Sequence, residues 1–313
     1  MRKIFTFLTI AVLSSISLFA QDMESATAMY NEGATALNSG DKDHALKCFE
    51  EALSQAAIIG PEADELANNC KRNIPFLINS IGKELASEGN IDSAIVVLNT
   101  AIEKAYEYGQ DDIAFEAEDL IPQLYMQQGN LYLNQKAFDK AYEYYKNYVG
   151  LKPNDGIGYL RMGQTARRLG DIEGALDALK KASEYGQAKN ADKEIATLYL
   201  SMANEQLKAK DFSAALESAQ QSLAVLPTPT AMQIAGTAAL QIKNYSAAIE
   251  NFEGFIAASP NARNIDQIRY QLATAYEAAG DKTSACVNYK AILNNPQFAE
   301  YAKHKVNVEL KCQ

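Results

Sequence analysis

The sequence predicts an all-α chain of about seven helical hairpins, closed by a C-terminal capping helix. Three observations carry this. First, a small residue recurs as Ala45, Ala94, Ala141, Ala175, Ala215, Ala248 and Ala285. Second, each has companions at fixed offsets. Twelve residues earlier comes Gly33, Gly82, Gly129, Gly163, Ala203, Gly236 or Ala273. Four residues later comes a bulky side chain in six of seven cases: Phe49, Leu98, Tyr145, Leu179, Phe252 and Tyr289, with Ala219 the exception. Third, a short turn rich in Gly, Lys, Asp and Asn separates the two arms each time, from SGDKDHA at the first hairpin to AGDKTSA at the last. Helices that cross closely need small residues at the crossing and large ones beside it to fill the gap. Gly tolerates the left-handed backbone at a helix end, and Asp or Asn caps the helix that follows.

The elements follow in order. Residues 1–20 carry Arg2 and Lys3, then a short apolar run from Ile4 to Ile16, then Leu18-Phe19-Ala20. That is the pattern of a secretory signal peptide with cleavage after Ala20. The apolar run is shorter than the ~20 residues of a membrane span, so no stable span is expected once it is removed. Residues 21–155 hold the N-terminal repeats. The first two are long, because PEADELANNCKRNIPFLINSIGKELA and DDIAFEAEDLIPQLYMQQGNLYL extend the helices after the turns at Gly60-Pro61 and Gly109-Gln110. Pro75 and Pro122 fall inside those patterns and should kink or restart them. Residues 156–297 hold more regular repeats punctuated by Pro153, Pro227, Pro260 and Pro296. Residues 298–313 are expected to form the capping helix that keeps a repeat array soluble.

The most regular unit is TPTAMQIAGTAALQIKNYSAAIENFEGFIAASP, residues 228–260. Gly236 lets its helices approach, Ala248 fills the crossing, Phe252 fills the space toward the next hairpin, and Pro260 ends the second helix. With a period of roughly 34 residues, this resembles the tetratricopeptide repeat. The resemblance covers residues 26 to about 297. It implies a right-handed superhelical solenoid and a scaffold that holds a protein or peptide partner rather than an enzyme.

The resemblance also implies that the first helix of each hairpin lines a concave groove. The groove residues it points to are Lys83, Asn130, Gln164, Arg167, Asn204, Gln233, Thr237 and Tyr270. Their amides and hydroxyls can pair with the N–H and C=O of an extended peptide. Of the run Tyr142, Tyr144, Tyr145 and Tyr148, the second pair packs in the hairpin and the first pair is expected to face outward.

Net charge is −10, which argues against a nucleic-acid partner. Motifs for zinc peptidases, serine hydrolases and phosphate loops are absent from the sequence, and Gly156-x-Gly158 lacks the third glycine of a dinucleotide loop. No catalytic residue, metal or cofactor is expected. His44 reads as a solvated turn residue, and Asp41 as a helix cap. Export would place Cys48, Cys70, Cys286 and Cys312 in an oxidising compartment. Spacing favours Cys48–Cys70, at matching heights on antiparallel helices. Cys286–Cys312 is offset by about six residues, or roughly 9 Å, and closes only if the last turn unwinds or the cap bends.

The expected function is a non-enzymatic interaction scaffold in the bacterial envelope, periplasmic or secreted. The alternatives are a helical-hairpin protein that processes or binds glycans, and a self-associating structural solenoid.

Overall fold

A computed structural model describes the backbone from Ile4 to Gln313 and the side chains from Asp22. The expected signal segment, residues 1–20, lies outside the residues whose side chains are described. The described residues contain helices and no strand. The chain divides into two compact units, residues 1–135 and 136–313.

The first unit holds α1 (Ile4–Ser39), α2 (Lys42–Ile59), a 3₁₀ turn at Pro61–Ala63, α3 (Asp64–Ser87), α4 (Ile91–Glu107) and α5 (Asp111–Asn134). Here α1 packs on α2, α3 on α4, and each pair on the helix that follows. The long helices α3 and α5 run through Pro75 and Pro122 without a break. Each proline forfeits one backbone hydrogen bond. Pro75 is nevertheless buried between Ile74 and Leu77, and Pro122 beside Ile121, so packing holds the helices continuous. The restart expected there does not occur.

The second unit holds α6 (Phe138–Leu151), α7 (Gly156–Leu169), α8 (Ile172–Ala182), α9 (Ala188–Lys208), α10 (Phe212–Val225), α11 (Pro229–Gln241), α12 (Tyr245–Ala258), α13 (Ile265–Ala279), α14 (Lys282–Ala291) and α15 (Ala299–His304). Pro153, Pro227, Pro260 and Pro296 all fall between helices. The junction of α8 and α9 has no proline. There Gly186, at φ 91°, turns the chain instead.

All seven recurring alanines are fully buried. The residue four later is buried too, but its main neighbour differs from the expectation for Phe252. A Cβ on Gly236 would lie 2.7 Å from the Phe252 ring. The ring therefore fills the room that Gly236 leaves inside its own hairpin, while its far side joins Ile268 and Leu272 of α13 in one core cluster. Gly82 faces Leu98 and Gly163 faces Leu179 in the same way, each 2.7 Å from a built Cβ. In the fifth hairpin Ala203 and Ala219 replace the Gly and bulky pair, and both are fully buried. A methyl from each side occupies the crossing there.

Each of the seven turns between a first helix and its second contains one left-handed residue. It is Gly40, Gly89, Gly170 or Gly280 in four, and Lys136, Lys210 or Lys243 in three. In five of these turns the next residue caps the following helix with its side chain. Asp41, Asp171, Asp211, Asn244 and Asp281 each accept a hydrogen bond from a backbone N–H three residues on, at 2.9–3.2 Å.

The C-terminus is shorter in helix than expected. After α15 a single π turn, Lys305–Glu309, ends the helical stretch, and Lys311 adopts φ 52°. The Cys312 N–H donates to the Val306 carbonyl at 2.8 Å, so the chain folds back. This unwinding brings Cys312 to Cys286, and the two form a disulfide with Cα atoms 5.7 Å apart. Cys48 and Cys70 are free and buried, so the pairing favoured by spacing does not form. Cys48 is turned toward α1, where a Cβ on Gly33 would lie 3.0 Å from its own Cβ, while Cys70 sits in a core cluster with Phe49, Leu77 and Ala101.

Candidate functional site

The first helices of successive hairpins lie beside one another: α3 beside α5 in the first unit, and α7, α9, α11 and α13 in sequence in the second. The residues expected to line the groove sit on these helices, and most are engaged with the next first helix along. On α3, Lys83 forms an ion pair with Glu116 of α5, whose other oxygen accepts from Asn79 Nδ2 at 2.7 Å. That hydrogen bond from Lys83, above all, holds the Glu116 carboxyl below its ordinary range, against a smaller opposing effect of burial. On α7, Gln164 donates to Glu194 of α9 at 3.2 Å, and Arg167 pairs with the same carboxylate at 3.3 Å. On α11, Gln233 accepts from Asn264 at 3.0 Å, and Thr237 accepts from Gln271 of α13 at 3.4 Å. Asn204 on α9 is exposed, and Asn130 on α5 is half-buried.

Lys83 and Arg167 are thus neutralised locally by Glu116 and Glu194. The sequence carries no signal for these carboxylates, which lie on the next first helix. Three buried side-chain atoms on these helices have no hydrogen-bond partner: Asn79 Oδ1, Arg167 Nε and Gln271 Oε1. A buried polar atom left unpaired costs about 1–3 kcal/mol. All three belong to first helices of hairpins.

Sequence profiles described as tetratricopeptide repeat match residues 200–263, residues 26–57 and 122–155, and residues 267–297, together about half of the chain. The chain is a tetratricopeptide-repeat protein. Its hairpins α1–α2, α11–α12 and α13–α14 carry matches, whereas α3–α4 and α7–α8 fall outside them. Among solved structures this repeat protein is similar to MamA, at 22% identity over 57% of this chain and 94% of that one, with a TM-score of 0.37. It is also similar to MamA from Desulfovibrio magneticus RS-1, at 18% over 58% and 96%, TM-score 0.35. A third is YrrB, described as a TPR protein with an unusual peptide-binding site, at 17% over 62% and 96%, TM-score 0.36. No curated protein matches the sequence.

Other expected features of the repeat protein take different roles. Tyr270 does not line an open groove. Its ring stacks on Phe298 at 5.1 Å and meets Tyr301 edge-on at 5.4 Å, under the C-terminal cap. The cap is held further by Glu277, which accepts from the Tyr289 hydroxyl at 3.0 Å and from Lys305 at 2.8 Å. Burial alone would lower the Lys305 pKa, but its bonds to Glu277 and Glu309 raise it. Tyr142 packs against a cluster of Ala166, Ala175 and Leu198 instead of facing outward. The Gly156-x-Gly158 pair also has a packing cause, since a Cβ on Gly158 would lie 2.5 Å from the Tyr148 ring. That ring's hydroxyl donates to Asp155 at 2.9 Å, beside the cap of α7.

His44 is not simply solvated. Its Nε2 lies 3.0 Å from Glu32 Oε1 and 3.7 Å from Cys48 Sγ. The sequence signal was His44 and Cys48 four apart on one helix, which places both on one face. Glu32 comes from the other helix of the hairpin and has no sequence signal of its own.

Tetratricopeptide-repeat proteins are interaction scaffolds that bind peptides or other proteins, and this chain has the hairpins of that class. Among its described residues no helix is long and apolar enough to cross a membrane.

Proposed function

We propose that this protein is a non-enzymatic adaptor that binds an extended peptide or protein segment along its first-helix face, in the cell envelope after export. The observation that carries this reading is the chemistry of that face in the second unit. Gln164, Asn204, Gln233, Thr237 and Gln271 place amides and hydroxyls along successive first helices. A peptide backbone supplies the complement of both kinds of group. The ion pairs of Lys83 and Arg167 argue against recognition of a carboxylate-rich segment, because that charge is already satisfied.

Export is supported by the charged and apolar pattern of residues 1–20. The Cys286–Cys312 disulfide supports it as well, since such bonds persist in oxidising compartments.

Immobilised wild-type protein and an Asn204→Ala, Thr237→Ala variant, exposed to the same envelope extract, test the reading. The expected result is a partner retained by the wild type and reduced at least about tenfold on the variant, a loss of roughly 1.4 kcal/mol. Equal retention would overturn the first-helix face. A concentration-dependent dimer with no other partner would favour self-association instead.

A further inference from the structure

We propose that Glu32, His44 and Cys48 form a divalent-metal site, with zinc the ion their donors fit best. The site is built from the hairpin itself. His44 and Cys48 stand one turn apart on α2 and point to α1. Gly33 lets α1 approach so closely that its own Cβ, if present, would lie 3.0 Å from that of Cys48. The residue before it, Glu32, is thereby carried to the same place. The three donor atoms all lie within 4.8 Å of one another.

The two separations made by the His44 nitrogen suit tetrahedral zinc, and Glu32 and Cys48 stand within 4.8 Å of each other, so a small side-chain adjustment closes the set. With ordinary zinc–ligand bond lengths, a tetrahedral ion holds N and O donors about 3.3 Å apart and N and S donors about 3.6 Å apart. The observed values are 3.0 Å for His44–Glu32 and 3.7 Å for His44–Cys48. One nitrogen, Nε2, faces both partners, as a shared ion requires. A relay of hydrogen bonds through the ring would use the two nitrogens separately. Thiolate, imidazole and carboxylate together select zinc over magnesium or calcium. A solvent-open hollow of about 360 Å³, lined by Glu32, Thr35, Ser39, Asp41 and His44, gives access and room for a water as fourth ligand. On binding, the Cys48 thiol loses its proton to bulk solvent and the sulfur bonds the ion as thiolate.

The test uses the full chain purified without reductant. Cys286–Cys312 then stays closed, and Cys48 and Cys70 are the two free thiols. Zinc is titrated against a chromophoric chelator, and cobalt is added separately to read the thiolate-to-cobalt charge-transfer band. The expected result is one ion per chain, with the band lost in Cys48→Ser and kept in Cys70→Ser. His44→Gln and Glu32→Gln, both at exposed positions that leave the fold intact, should weaken zinc binding at least about tenfold. A band that survives in Cys48→Ser, no stoichiometric binding, or unchanged affinity in the His44 and Glu32 variants would overturn the site.

Discussion

The ring of Phe252 occupies the space above Gly236, and a single added methyl on that glycine would meet it at 2.7 Å. Phe252 is fully buried. Phe252→Ala should therefore cost about 3–5 kcal/mol, and Gly236→Ala about 1–3 kcal/mol through overpacking. In the double variant the new methyl enters the space the ring has left. Urea unfolding should then show a combined loss clearly smaller than the sum, the mark of two residues that share one volume.

The turns offer an opposite test. Lys210 and Lys243 hold φ near 63°, where a side chain is strained and glycine is not. Lys243→Gly should stabilise the protein by a few tenths to about 1 kcal/mol, the relief of strain exceeding glycine's extra unfolded-state entropy. Gly280→Ala, at φ 88°, should lower the melting temperature. Differential scanning calorimetry on both variants reads the sign directly.

The C-terminal cap depends on a covalent link. The Cys286–Cys312 bond closes a separation of 26 residues, worth roughly 3.5 kcal/mol in the chain-entropy account. A Cys286→Ser, Cys312→Ser variant should expose the cap to proteolysis near Phe298 and Tyr301 well before the remaining hairpins are cut. Limited digestion followed by mass analysis gives the order.

Thiol chemistry separates the remaining cysteines. Burial pushes the Cys70 thiol up to about 11. Little of it is thiolate at neutral pH, and its side chain is fully enclosed. Alkylation of native protein should leave Cys70 unmodified until denaturant unfolds the first unit.

Acid should weaken the link between α3 and α5. The folded Glu116 pKa lies below its unfolded value, chiefly because of the hydrogen bond from Lys83. The associated stability is present above the ordinary carboxyl range and is lost as pH falls through the lowered value. The pair is about half exposed, so the contribution stays under about 1 kcal/mol. Glu116→Gln should flatten that part of the acid limb in a series of melts from pH 6 to pH 3.

The hairpins were legible because their signal is local and repeated. Gly236, Ala248 and the following Phe252 lie within one repeat, and the same offsets return along the chain. The continuity of α3 through Pro75 was not legible, since it rests on burial contributed by other helices. The disulfide was misjudged for a related reason. Spacing on ideal helices favoured Cys48 with Cys70, whereas the decisive event was the loss of helix after Glu309. At the candidate site, sequence identified the first-helix positions but not their state. Lys83 and Arg167 are paired by Glu116 and Glu194, partners about 30 residues away whose positions only the stacking of hairpins reveals. The register also concealed Glu32 beside His44, because the closeness of α1 to α2 is set by Gly33.

Binding on the first-helix face fixes where a partner touches the chain. A photo-activated cross-linking residue placed at Thr237, on the first helix of the α11–α12 hairpin, should trap a partner in living cells. The same residue at Glu250, exposed on the second helix of that hairpin, should trap none. A partner captured from Glu250 and not from Thr237 would contradict binding on the first-helix face.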